Sequence, residues 1–294
     1  MFDTHVNGFV INPAKKVIVH SIYNKKRLLE RDCGRDVSCI KLYTKIEQDY
    51  DKISLRKKYG YTKDELIIAS FGIVAATKRN KEIIMAITPL LKKNRNIKYL
   101  VVGGDVSRNN EYSNECKRVI DENGLSEQIQ FTGYVSENDL MEYMELTDIC
   151  VNLRYPYNGE SSAAFARLLG MGKAIVVNRI GDFDEVPDDA CVKIDSVENM
   201  TKEKELEEIA KAIEILTNAE IRNQIEKNAL GYAKEKLDIA KVAVQYLECL
   251  KKPEYGVISD IDLKNISETE IKRKHYSEED VEKLADTILY AKGL

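Results

Sequence analysis

Leu66-Ile67-Ile68-Ala69-Ser70-Phe71-Gly72 is an almost unbroken apolar run that stops at a glycine, and Lys98-Tyr99-Leu100-Val101-Val102-Gly103-Gly104 repeats the form. Between them, Ile83, Ile84, Ile87, Leu90 and Leu91 recur at helical spacing across Lys81 to Lys92. A strand that is apolar at nearly every position is buried on both faces, as in a parallel sheet covered by helices. The rhythm continues with a helix from Glu111 to Asn123 that Gly124 stops, then a strand from Gln128 to Phe131. A helix from Glu137 to Glu145 follows, with Leu140, Met141 and Met144 inward. Further strands are predicted at Ile149 to Leu153, Lys173 to Asn178 and Cys191 to Ile194. Short strands alternating with helices of about a dozen residues specify βαβ units. The fold class is therefore α/β, a Rossmann-like parallel sheet flanked by helices, with ligands bound beyond the carboxyl ends of the strands.

Upstream, Lys16 to His20 and Val37 to Leu42 are short strand candidates on either side of a basic helix, Tyr23 to Glu30. Thr44 to Asp64 is a charged linker with one helix, Ile53 to Tyr59. Downstream of Glu203 the pattern is helical: Leu206, Ile209, Ile213 and Leu216 form one stripe, and Val242, Val244, Tyr246, Leu247 and Leu250 another. Pro253 breaks it, and a charged tail from Tyr255 to Leu294 carries a capping-box-like Ser277-Glu278-Glu279-Asp280 before a last helix. The organisation predicted is 1–64, a small N-terminal remnant and linker; 65–252, the main α/β domain; and 253–294, a helical C-terminal tail.

Composition narrows the partners. With 45 Lys and Arg against 49 Asp and Glu, the net charge is −4, which argues against general nucleic-acid binding. The six cysteines are scattered without a CxxC pair and there are only three histidines, so a structural zinc site is not expected and a reducing cytosol fits best. No stretch approaches the roughly 18 apolar residues of a membrane span. A cytoplasmic location follows as the expectation, with peripheral contact at a membrane left open.

The polar oddities fall at predicted strand ends. Asn152-Leu153-Arg154-Tyr155-Pro156-Tyr157-Asn158-Gly159-Glu160-Ser161-Ser162 follows one strand and leads into a small-residue helix from Ala163. A carboxylate and two hydroxyls at a helix start suit a ligand with both phosphates and sugar hydroxyls; a surface turn and a simple N-cap are the competing readings. Phe71-Gly72 leads through a loop to Lys78, which can meet a diphosphate as a point charge or simply be a surface lysine. Gly103-Gly104 lacks the continuation of a dinucleotide fingerprint. At Gly133-Tyr134 the aromatic can flank a nucleobase, a plain turn being the alternative. Asp182 and Asp184 form a DxD, but so do Asp49/Asp51 and Asp260/Asp262, and no metal site is expected. His5 and His20 have no assignable carboxylate partner and read as structural, and no GxSxG is present.

As an ordered set, Phe71-Gly72…Lys78-Arg79, Phe131-Thr132-Gly133-Tyr134, Asp148…Asn152-Leu153-Arg154-Tyr155-Pro156…Gly159-Glu160-Ser161-Ser162, Gly170-Met171-Gly172-Lys173 and Gly181-Asp182-Phe183-Asp184-Glu185-Val186-Pro187 resemble the C-terminal half of a GT-B glycosyltransferase of family 4. The resemblance covers about Leu66 to Leu250, and residues 1 to about 45 are similar to the last strand and helix of that family's N-terminal domain. It implies a hexosyltransferase-type enzyme, retaining and metal-independent, that takes its sugar from a nucleotide-sugar donor and needs no cofactor. The acceptor it implies is an unspecified glycan, lipid or protein. By position, Lys78 matches the lysine on the donor diphosphate, and Glu160 matches the first Glu of the E-x7-E motif on the donor sugar. Lys78 and Glu160 are thus the implied catalytic pair. Gly72, Ser161 and Ser162 fall where the phosphates lie, and Gly133 and Tyr134 near the base.

Two positions depart from the motif. Its second Glu, the ribose contact, falls at Leu168, and the arginine that precedes the lysine falls at Ile73. Each loss weakens donor binding by about 1–3 kcal/mol if uncompensated. Most of the acceptor-bearing N-terminal domain has no counterpart, so the missing half or a second subunit is an implied partner. A non-catalytic nucleotide-binding or scaffold module derived from the same fold is the alternative function.

Overall fold

In the computed structural model, residues 14, 16–30, 35–46, 50–105 and 110–251 are described. The described residues up to Cys249 belong to one compact unit. The tail expected over 253–294, with Pro253 and its capping-box motif, lies outside the described residues, as do His5, Asp49, Asp260 and Asp262.

Every apolar run of the central region becomes a strand: β3 (Leu66–Phe71), β4 (Ile97–Val102), β5 (Ile129–Gly133), β6 (Ile149–Val151), β7 (Ala174–Asn178) and β8 (Val192–Ile194). They make a six-stranded parallel sheet in the order β5-β4-β3-β6-β7-β8. Ahead of it, β1 (Lys16–Val19) and β2 (Asp36–Cys39) pair in parallel as a separate two-stranded sheet around α1 (Ile22–Glu30). The linker helix is α2 (Lys52–Lys58), with Asp51 as its N-cap.

Side-chain alternation sends successive residues of each strand into two different cores. Ile68, Tyr99, Val101, Ile149, Val151 and Val176 pack under α3 (Asn80–Lys93), α4 (Glu111–Glu122) and α7 (Lys202–Thr217). Ile67, Ala69, Leu100, Val102, Cys150 and Ile175 pack under α5 (Glu137–Leu146), α6 (Ala163–Gly170) and α8 (Ala219–Lys236). This two-sided burial is why the strand sequences show no polar alternation. The last described helix, α9 (Ile239–Lys251), sets Val242 and Cys249 against Ile40 of the β2 end, with Ile18 and Tyr246 alongside. Among the described residues no helix is long and apolar enough to cross a membrane.

Three expectations are corrected. The strand expected over Ile149 to Leu153 stops at Val151, so the β6–α6 connection is an eleven-residue loop (152–162) that includes Leu153. Gly133 ends β5 as a strand residue. The helical region after Glu203 holds three helices where two stripes were legible, because α8 buries only Ile225, Ala229 and Ala233 and shows no broad apolar face.

Candidate functional site

β3 sits mid-sheet. The chain leaves it toward β4 and β5, then returns to β6 on its other side, so the loops after β3 and β6 diverge at a topological switch point. The β3 loop is built by close backbone approach. Gly72 N–H donates to the Val102 carbonyl at 2.9 Å, and a Cβ on Gly103 (φ +145°) would stand 2.1 Å from the Gly72 carbonyl oxygen. Only glycine at 103 lets the two strand ends touch. The loop then tightens into a 3₁₀ turn, Ala76–Lys78, that lays Lys78 Nζ 3.7 Å from where a Gly72 Cβ would be.

Arg79 follows in the left-handed region (φ 59°), a costly conformation for a side chain of this size. Its guanidinium is held by Glu205 of α7 through two bonds of 2.8 and 2.6 Å, and it lies 5.6 Å from the Tyr155 ring centroid. Asn80, at the α3 start, donates to Ser70, which also meets Tyr99 Oη at 2.7 Å. Tyr155 N–H donates to the Thr77 carbonyl at 2.9 Å, stitching the β3 and β6 loops together.

On the β6 side, Asn178 at the β7 end clamps the backbone of Arg154. Its Oδ1 accepts from Arg154 N–H at 3.0 Å, and its Nδ2 donates to the Arg154 carbonyl at 2.7 Å. The Arg154 side chain is only 5% exposed. It donates to the Leu153 carbonyl at 2.8 Å and reaches Ser162 Oγ at 3.5 Å, while Glu160 Oε1 lies 4.0 Å from its Nε. Glu160, partly exposed, accepts from Asn158 N–H at 3.0 Å. Ser162 caps α6 by accepting from Phe165 N–H at 3.2 Å, and its own N–H donates to Asp182 Oδ2 at 3.2 Å.

The electrostatics of this end of the sheet are unusual in one direction. Burial pulls the Lys78 ammonium down to about 8, the Arg154 charge pushes the same way, and Glu160 opposes. Burial pulls the Arg154 guanidinium down to about 10 against Glu160 and Asp182. Burial pushes the Asp182 carboxyl up to about 6 against the Ser162 amide and Lys41. Asp182 Oδ1 and Ser161 Oγ are buried without a hydrogen-bond partner. Both residues border a cavity of about 30 Å³ shared with His20 and Lys41, room for about two waters. His20 Nδ1 donates to the Ile40 carbonyl at 2.8 Å, a structural bond.

The N-terminal segment closes on the same loop. Asn24 Nδ2 donates to the Gly159 carbonyl at 2.6 Å, Tyr23 and Tyr157 rings lie 5.4 Å apart, and Glu185 accepts from Tyr23 N–H and pairs with Lys41.

Of the residues singled out in the sequence, Gly72, Lys78, Glu160, Ser161 and Ser162 stand on the two adjoining loops at the switch point. Gly133 (φ +70°) and Tyr134 stand at the end of β5, two strands out from β3, with Tyr134 88% exposed beside Gly104. Leu168 is buried in the core under α6, and Ile73 is exposed on the β3 loop. The two carboxylates of the DxD diverge, Asp182 to the α6 N-terminus and Asp184 to Arg179 and Lys193. Among the described residues no three His, Cys, Asp or Glu are placed to share a metal ion. Sequence reasoning missed Arg154 and Asn178 as site residues. Their signal was a cation just past one apolar run and an amide closing another.

Residues 51–232 match the family model described as Glycosyl transferases group 1. No curated protein sequence matches the chain. Among solved structures, Anabaena HepE in complex with UDP and glucose is similar at 17% identity and TM-score 0.68, covering 84% of this chain and 66% of its own. Sucrose-phosphate synthase from Thermosynechococcus elongatus is similar at 18% and TM-score 0.69, with 84% and 60% covered. The C-terminal domain of LpcC, a glycosyl transferase group 1 family protein of Francisella tularensis, is similar at 18% and TM-score 0.56, with 66% and 96% covered. The chain thus spans about two thirds or less of the length of the first two and nearly all of the third. Its family match covers more than half of its own length, and its fold is that of the GT-B enzymes: the chain belongs to the group 1 glycosyl transferases.

Proposed function

We propose that this chain binds a nucleotide-sugar donor at the β3/β6 switch point and serves in hexosyl transfer to a glycan, lipid or protein acceptor, with retention and without a metal. The observation that carries this reading is the meeting of Lys78, the α6 N-terminus and Glu160 on two stitched loops. Transfer from such a donor needs charge stabilisation at the departing diphosphate, and a fixed ammonium with backbone N–H groups supplies it without reorganisation. In this reading Lys78, lying over Gly72, meets the diphosphate, and the backbone at Ser161 before the α6 start faces the phosphates, whereas the Ser162 N–H is already held by Asp182. Glu160, open to solvent, orients the sugar through its hydroxyls. Tyr134, exposed beside Gly133, offers a face to the base. HepE, whose complexes hold UDP, glucose and UDP-glucose, shares this fold, which supports a uridine nucleotide as the first donor to test.

The test is calorimetric titration of the chain with UDP, GDP and ADP and their glucose conjugates. Lys78→Ala is expected to weaken every diphosphate about 10- to 100-fold. Glu160→Ala is expected to weaken only the sugar conjugates, by about 10-fold. A folded chain that binds none of these compounds overturns the donor reading. Binding without donor hydrolysis or transfer would instead support the non-catalytic module that Leu168 and Ile73 favour.

A further inference from the structure

We infer that Arg154 is a second cation of the diphosphate subsite, reaching it from the β6 loop opposite Lys78 on the β3 loop; this rests on the donor reading above. Three observations carry it. First, Arg154 is 5% exposed, and a buried guanidinium is ordinarily matched by a carboxylate in bidentate contact. Arg79 shows that arrangement with Glu205 in the same chain. Arg154 instead bonds its own chain neighbour, Leu153, and the Ser162 hydroxyl at the limit of reach, with Glu160 at 4.0 Å. Most of its five donors are therefore left for something else.

Second, its backbone is fixed on both sides by the fully buried Asn178, and the Tyr155–Thr77 bond ties its loop to the turn that ends in Lys78. A cation held this firmly, with Glu160 and Asp182 nearby but neither in bidentate contact and with the Phe183 ring centroid 5.9 Å from its guanidinium carbon, is oriented with donors to spare. Third, two cations stand on neighbouring loops at the switch point, stitched by the Tyr155–Thr77 bond, close enough that the Arg154 charge acts on Lys78. Such an arrangement destabilises the empty chain and is relieved by a ligand with at least two negative charges on adjacent oxygens. A diphosphate has that form. Ile73, exposed on the β3 loop, supplies no charge there.

The experiment titrates the full chain with inorganic pyrophosphate and with UDP, comparing wild type, Lys78→Gln, Arg154→Gln and Arg154→Lys, each checked for a cooperative thermal transition. Arg154→Gln is expected to weaken pyrophosphate and UDP alike by about 10- to 100-fold, and Arg154→Lys by about 10-fold, because an ammonium keeps the charge but not the fork. Uridine, which lacks phosphates, should bind all four proteins equally.

If Arg154→Gln does not fold, the comparison of wild type with Arg154→Lys decides the matter: full pyrophosphate affinity in Arg154→Lys overturns the proposal. Affinity lost in Lys78→Gln but kept in Arg154→Gln overturns the role of Arg154 and leaves the donor reading standing. Wild type that binds neither pyrophosphate nor any of UDP, GDP and ADP overturns both.

Discussion

Asp182→Asn should stabilise the protein, and by an amount that depends on pH. Burial pushes the Asp182 carboxyl from its ordinary 3.8 up to about 6. That displacement of about two pH units corresponds to about 3 kcal/mol at about 1.4 kcal/mol per unit. The sign follows from which state holds the proton. Below pH 3.8 the carboxyl is protonated both folded and unfolded, so it costs nothing. Between 3.8 and about 6 the unfolded chain ionises first, and stability falls as the pH rises. Above about 6 the full penalty is in place. Asparagine cannot ionise and keeps an oxygen for the Ser162 N–H, though a neutral acceptor bonds less strongly than a charged one. The net gain is therefore about 2 kcal/mol at pH 8, about half that at pH 5, and almost none at pH 3.5. Urea unfolding at these pH values, followed by circular dichroism because the chain has no tryptophan, measures it. Loss of stability at pH 8, or a gain equal at pH 8 and pH 4.5, refutes the reasoning and means that Lys41 or another partner compensates the charge.

Two further perturbations probe the frame around the site. Gly103→Ala places a Cβ 2.1 Å from the Gly72 carbonyl oxygen at a φ of +145°, so it should cost at least about 2 kcal/mol and weaken UDP binding by moving the Lys78 loop; equal stability and affinity would show that the strand ends can part freely. Asp148 lies at the amino edge of the sheet, where burial raises its carboxyl pKa but Lys52, the Ile67 amide and Arg56 outweigh that and hold it low. Asp148→Asn should cost about 2–4 kcal/mol at pH 7, and the wild-type advantage, present above the ordinary carboxylate range, should vanish as acid titrates the folded carboxyl; parallel acid-denaturation curves for the two proteins would contradict this.

The parts of the fold legible in the sequence are those in which local pattern and tertiary environment agree. The β3 and β4 runs are apolar throughout because each faces two cores, and α3 carries its apolar residues in a single stripe. α8 was illegible because its inward side is mostly alanine, packed against α6, and because the break before it is made by Asn218 capping Glu220 and Ile221 amides. At the site, Lys78 and Glu160 were visible as polar residues at strand ends. The partnerships were not. Asn178 holds Arg154 across 24 positions, and Asp182 meets Ser162 across 20, contacts that exist only once β6 and β7 lie side by side. Asp182 consequently read as half of a DxD motif when its structural partner is the start of a helix.

At several surface groups the folded state favours charge: Arg179 and Lys193 hold the Asp188 carboxyl down at about 2, Ser136 and Tyr59 hold Asp139 low, and Glu142 raises Lys58, although burial lowers Lys173 and raises Glu226 elsewhere in the scaffold. At the β3/β6 switch point the folded state disfavours it. Lys78, Arg154 and Asp182 all have their charged forms penalised by burial, and they lie on adjoining loops. Chance burial of a long side chain is usually relieved by snorkelling or by a partner within reach, but Arg154 is locked by Asn178 and Asp182 is pinned by an amide. A fold that keeps three such groups in place gives up stability in the empty state. An anionic ligand relieves the two cations, Lys78 and Arg154, so these residues make the empty site costly and its affinity for a diphosphate large, while the Asp182 carboxylate gains nothing from it. Thermal stabilisation by UDP should accordingly be greater in the wild type than in Arg154→Lys at equal free UDP, because relief of the two buried cations is part of the wild-type binding free energy.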